Sequence, residues 1–161
     1  MKKYIFTLLL LLVCHLGYAQ SINSLFNEFG SEKNADCVKV SSFMMSIGKM
    51  FAGHDKDAEI IGKIKSIRVL DLDDCPTNVK ERFNKKANKL SLDGYEELMR
   101  VNDDGDKVRI LMKTKKEVIR ELLLVCTGKD DCTLVQINGK FTKDDIDQLV
   151  NQETGKKHGR R

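Results

Sequence analysis

The second half of the chain has a hydrophobic period of two, which favours β-structure. The segments YEELMRV (95–101) and KVRILMK (107–113) flank NDDGD, a sequence typical of a tight hairpin turn. EVIRELLLVC (117–126) and CTLVQIN (132–138) flank a second polar loop. We therefore predict four consecutive antiparallel strands, and such a sheet needs a covering layer on at least one face.

Amphipathic segments elsewhere in the chain supply that layer. Residues 21–30, 77–90 and 142–150 have apolar side chains at helical spacing. Residues 37–40 and 64–74 favour strands, and residues 42–52 favour a helix whose methionine stripe we interpret as core filling. The predicted fold is α+β: a two-layer sandwich with a mainly antiparallel sheet of about five to six strands and helices packed on one face.

The first nineteen residues have the pattern of a secretory signal peptide. Lys2 and Lys3 precede an apolar run that is too short to span a membrane, and small residues stand at the −3 and −1 positions of a cut after Ala19. We expect no transmembrane segment after cleavage. A lipid anchor on Cys14 is an alternative, but the residues LLV before it lack the small side chain that lipidation sites favour.

This pattern divides the chain into three parts. Residues 1–19 are the signal peptide, residues 20–151 form a single α+β domain, and residues 152–161 form a basic disordered tail. The net charge of +4 comes from the two ends, because residues 20–155 alone carry −2. The domain therefore lacks the basic signature of a nucleic-acid-binding protein.

Cys126 and Cys132 flank a short polar loop and could be a redox pair, metal ligands or a disulfide. Redox pairs usually have the spacing C-x-x-C, which is absent. Zinc would require a tighter pair together with histidines or a second pair, and the predicted mature chain retains only His54 and His158, in a glycine-rich loop and in the tail. We expect a cross-strand disulfide between the two cysteines in an oxidising compartment.

Cys37 and Cys75 then remain as a second candidate disulfide. The alternative is that all four cysteines are free or buried thiols, which holds if the exported protein meets reductant.

No catalytic or cofactor motif stands out, so we expect no enzyme activity, no cofactor and no metal. The chain has no G-x-S-x-G elbow, phosphate loop or H-E-x-x-H sequence. Aspartates cluster at 71–74, 103–106 and 130–131, where turns favour them. A hydrolase that uses these acidic loops is the alternative, and it requires Asp71 or Asp73 to lie near Asp103 or His54.

The strand pattern also suggests where a partner would bind. Polar side chains that alternate with core residues are expected to project from the uncovered face of the sheet. The candidate interaction face consists of Arg109, Lys113, Arg120 and Gln136.

The segment from YEELMRVNDDGDKVRILMK to INGKFTKDDIDQL resembles a Bacteroidetes family, domain of unknown function 4252. The resemblance covers most of the predicted mature chain and is stronger after Ser66. Its motifs are structural, so it implies an exported envelope protein without supplying catalytic residues. We therefore expect a periplasmic or secreted, non-catalytic binding module for an unknown envelope protein, with the hydrolase and the lipid-anchored surface protein as alternatives.

Overall fold

Two helices of the protein are defined by clear local signals. The computed structural model describes residues 21–42, 44 and 62–146. Helix α1 (Ile22–Phe29) begins at the N-cap Ser21, whose side chain and that of Ser24 form a capping box, and it ends at Gly30. Helix α2 (Thr77–Ala87) follows Pro76. Proline has no backbone N–H and its ring clashes with a preceding helical turn, so the helix begins here.

Six strands form one antiparallel sheet. They are β1 (Asp36–Val40), β2 (Ile64–Asp71), β3 (Glu96–Asp103), β4 (Asp106–Lys115), β5 (Val118–Thr127) and β6 (Thr133–Phe141). Their order across the sheet is β1-β2-β6-β5-β4-β3, so β6 lies between β2 and β5 while β1 and β3 form the edges. The structure confirms the predicted antiparallel sheet of five to six strands and both predicted hairpins, β3–β4 and β5–β6.

One face of the sheet carries α1 and α2, and we call it the helix face. Leu70 of β2 lies opposite Leu134 of β6, which lies opposite Val125 of β5. All three side chains are buried in a cluster with apolar side chains of both helices. The helices contribute Leu25, Phe26, Phe29, Val79, Phe83 and Ala87 to this core.

Contacts between the two helices hold this layer together. The rings of Phe29 and Phe83 meet edge to face, with centroids 5.4 Å apart. Glu28 of α1 accepts hydrogen bonds from Lys86 and Arg82 of α2, at 2.6 Å and 3.3 Å. These bonds, led by that from Lys86, lower the pKa of Glu28. Two basic residues of α2, Arg82 and Lys86, are therefore paired within the chain.

Two tight turns connect the last strands. Asp104 and Gly105 between β3 and β4 both have positive φ, at 42° and 98°, as a type I′ hairpin turn requires. Lys116 and Glu117 between β4 and β5 also have positive φ, at 52° and 61°, although neither residue type favours that region. The first turn follows from its sequence, whereas the second is imposed by the strands on either side.

Several predicted features lie outside the described residues. These are the signal peptide, Cys14, the basic tail, His54, His158 and most of the methionine-rich segment. Of that segment, Ser42 and Met44 are described as helical, and Met44 is exposed. None of the described helices is long and apolar enough to cross a membrane.

A buried carboxylate joins the start of β2 to the C-terminal helical turn at 143–146. Asp145 accepts a hydrogen bond from the Thr142 backbone and one at 2.6 Å from the Lys63 ammonium group. The Asp145 amide in turn donates to the Thr142 hydroxyl, and the two residues thus form a capping box, as the spacing of Thr142 and Asp145 in the sequence predicts. The Lys63 hydrogen bond is the main reason that the pKa of Asp145 is lowered.

We expect the Asp145 carboxylate to make folding stability depend on pH. Its folded pKa lies below the unfolded value of about 3.9, so its stabilisation is present above that value and is lost as pH falls through the folded pKa. Asp145→Asn should lower the free energy of unfolding by about 1–2 kcal/mol at neutral pH and reduce the loss on acidification. Urea unfolding of both proteins from pH 7 to acid checks this, and identical pH profiles would contradict it.

Candidate interaction surface

The second face of the sheet is apolar across all six strands. Its middle row runs from Val38 on β1 to Met99 on β3, through residues that lie directly opposite one another on neighbouring strands. Side chains alternate between faces along a strand, so the rows on either side belong to the same face. We call this surface the apolar face; its members are Val38, Val40, Ile67, Val69, Met99, Val101, Val108, Ile110, Met112, Leu122, Leu124, Cys126, Val135 and Ile137.

The apolar face is open to solvent at both edges of the sheet. Val38 is 53% exposed at one edge, and Met99 and Val101 are 52% and 47% exposed at the other. On the central strand β5, Leu123 and Val125 of the helix face are buried, whereas Leu122 and Leu124 of the apolar face are only partly buried. Monomeric proteins rarely expose so continuous an apolar surface unless it binds something.

The apolar, partly exposed character of this face changes only at its margins. At one end of the face, Met112, Ile119 and Phe141 form a small buried cluster against which Ile146 packs. Acidic residues lie at three of its corners: Asp36 and Asp71 at one, Glu96 at the diagonal one, and Asp103 and Asp106 beyond the Val101–Val108 pair. The middle row contains no polar residue, so this surface is suited to apolar contact.

The four residues predicted as an interaction face do not lie together on the uncovered side. Arg109 lies opposite Val125, Lys113 opposite Glu121 and Gln136 opposite Leu123, and all three therefore share the helix face. Arg109 forms a 3.0 Å ion pair with Glu97. Arg120 is the extra residue at a bulge in β5 beside β4, and its buried Nε has no hydrogen-bond partner.

Gln136 belongs to a network of hydrogen-bonded polar side chains on the helix face, beside the apolar core. It is buried, donates to Glu121 at 2.6 Å and accepts from Arg68 at 3.3 Å. The Tyr95 hydroxyl also donates to Glu121, and burial is the main cause of the raised pKa of Tyr95. These residues satisfy one another, so the prediction that Gln136 projects freely is wrong.

A cavity of about 370 Å³ lies over this network, beside the start of α1. Its walls include Ser21, Asp93, Lys113 and Glu121. The Lys113 ammonium group lies 5.1 Å from the centre of the Tyr95 ring, a cation–π contact.

Neither predicted disulfide is formed, and the sheet register explains this for the first pair. Cys126 lies opposite Thr133, one residue beyond Cys132, so the two cysteines point to opposite faces. Cys132 is buried in the core, where its thiol lies 3.3 Å from the Gly128 carbonyl and from the Asn84 side-chain oxygen. Cys37 is exposed and Cys75 is buried, and both are also free thiols.

Three of the described cysteines are poorly suited to nucleophilic chemistry. Burial raises the pKa of the thiols of Cys75, Cys126 and Cys132 in each case. A thiol that remains protonated is a weak nucleophile and a weak metal ligand. Within the described parts of the chain, no three His, Cys, Asp or Glu side chains are grouped to hold a metal ion.

The acidic residues proposed for a hydrolase lie on strands that are far apart in the sheet. Asp71 ends β2 and Asp103 ends β3, and β6, β5 and β4 lie between these strands. Four strand spacings of about 4.8 Å place the two carboxylates about 19 Å apart, too far to act on one bond. Asp73 instead accepts a hydrogen bond from the Cys132 backbone at 2.9 Å, a structural role at the β5–β6 hairpin.

The residues of the apolar face could have been found from one sequence signal. Residues 122–125 of β5 read Leu-Leu-Leu-Val, without the polar alternation of a strand that is buried on one side only. Such a run indicates that both faces of a central strand are apolar.

The comparisons with known proteins identify a family but no function. The family described as "Domain of unknown function (DUF4252)" matches residues 29–149, which include all six strands and α2. No curated protein and no solved structure matches the chain. On the strength of this match over most of its length, the chain belongs to the domain of unknown function 4252 family.

Proposed function

We propose that this protein is an exported, non-catalytic binding module whose working surface is the apolar face. The observation that carries the proposal is a six-stranded sheet with a row of apolar side chains from edge to edge. Burying such a surface against another protein contributes about 25 cal/mol per Å² of apolar area removed from water. We take the partner to be a protein because a broad sheet face fits another broad surface better than a small molecule, which binds in a concave site.

The export part of the proposal rests on the N-terminal sequence. The basic, apolar and small-residue sections of residues 1–19 have the order that signal peptidases recognise. With the family resemblance, this supports a periplasmic or secreted protein of the Bacteroidetes envelope. Intact-mass measurement of the protein from its native cells should give a chain that begins at Gln20. A chain that retains Met1 would contradict export, and a lipid-modified chain that begins at Cys14 would support the anchored alternative.

The binding part can be tested by site-specific photo-crosslinking in the native cells. A photoreactive phenylalanine analogue placed at Leu124, in the middle row of the apolar face, should give a protein adduct on irradiation. The same analogue at Lys85, an exposed residue of α2, is the matched control and should give none. Absence of adducts from position 124, or equal yields from both positions, would contradict the proposal.

A further inference from the structure

The shape of the apolar face restricts what can cover it. Six strands about 4.8 Å apart and three side-chain rows about 6.7 Å apart give a face of roughly 29 by 20 Å, or about 600 Å². Ile146 already covers the end of the face at Met112, so two such faces in contact would remove at most about 1,200 Å² from solvent, which is the lower limit for specific protein complexes. The area therefore fits a weak dimer that forms reversibly.

The distribution of charge also fits a face that packs on a copy of itself. The middle row from Val38 to Met99 is uncharged, so no carboxylate or ammonium group would be buried at the centre. The acidic residues of this face all lie at its corners, where their carboxylates stay at the solvated rim of a dimer; they are Asp36, Asp71, Glu96, Asp103 and Asp106.

We propose that the apolar face binds the same face of a second copy of this chain, giving a two-fold dimer of packed sheets with the helices outside. This inference rests on the proposed function and names its partner. Sheets commonly pack face to face about 10 Å apart with strands within about 30° of each other, and a second copy supplies a sheet of matching width and twist.

The first test is the concentration dependence of mass, measured by analytical ultracentrifugation of the purified protein. We expect the weight-average mass to rise from one chain toward two as the protein concentration passes through the dissociation constant. Leu124→Lys would place two ammonium groups in the dry interface and should raise the dissociation constant by at least about a hundredfold. Lys85→Glu, on the opposite side of the molecule, is the control and should leave it unchanged.

A second measurement needs no substitution and covers the case in which Leu124→Lys fails to fold. Cys126 lies on the apolar face and Cys132 in the core, so they are native reporters of the two faces. In reducing buffer, alkylation of Cys126 should slow as the protein concentration rises, while Cys132 stays slow throughout. A mass of one chain at every concentration, a dimer that persists in Leu124→Lys, or Cys126 alkylation that is independent of concentration would overturn the inference.

Failure of this inference is distinguishable from failure of the proposed function. An adduct of two copies of this chain from position 124 supports both. An adduct with a different protein supports a binding module and overturns the dimer.

Discussion

Phe83→Ala is expected to lower the free energy of unfolding by about 3–5 kcal/mol, because it leaves a cavity in the core. The Phe83 side chain is fully buried between α2 and the sheet and meets the Phe29 ring edge to face. Loss of the aromatic pair adds to the loss of buried apolar area. Since small domains are stable by about 5–15 kcal/mol in total, this change should bring the protein close to its unfolding threshold.

Urea unfolding followed by circular dichroism measures the effect of Phe83→Ala. Lys85→Ala is the control on the same helix, because the Lys85 side chain is exposed, and we expect it to change stability by no more than about 0.5 kcal/mol. A loss below about 1 kcal/mol for Phe83→Ala would show that α2 does not belong to the core that holds the sheet together.

The local elements of this fold follow well from the sequence because short-range rules determine them. Ser21, a residue type that favours N-caps, caps α1, and NDDGD forms the predicted turn between β3 and β4. The apolar stripe of α2 at helical spacing is the set of side chains that the core buries. Each of these features depends on residues within one or two turns of chain.

Features that depend on distant pairing could not be predicted in this way. The position of β6 between β2 and β5 is fixed by contacts across long stretches of chain, which periodicity does not report. The Lys116–Glu117 turn has no glycine or asparagine to mark it. A disulfide would require Cys126 to lie opposite Cys132, but the register places it opposite Thr133, one residue further along. Periodicity does not determine a difference of one residue.

Strand alternation predicts Arg109 and Lys113 on the uncovered face of the sheet, whereas both lie on the helix face. Polar side chains on alternating strands usually mark the solvated face of a sheet, and Arg109 and Lys113 have that pattern. In this fold α1 and α2 cover only part of the helix face, and the rest of that face is polar. The other face is apolar along its middle row and acidic at its corners, so polar side chains do not mark the face that lacks α1 and α2.

Leu123 and Leu124 provide a matched pair for testing this account of the two faces. They are the same residue type and adjacent on β5, but Leu123 is fully buried against the helices while Leu124 lies on the apolar face. Leu123→Thr should lower the free energy of unfolding by about 3–5 kcal/mol, since it removes buried methyl groups and buries a hydroxyl group. Leu124→Thr keeps a residue that favours strands at a site outside the core, and its effect should be about 1 kcal/mol or less.

The most direct measurement is therefore urea unfolding of the two variants beside the unmodified protein, at a concentration low enough for single chains. We expect a large loss of stability for Leu123→Thr and a small one for Leu124→Thr. Equal, large losses in both variants would show that the apolar face is a second buried core of the same chain, and they would contradict its role as a binding surface.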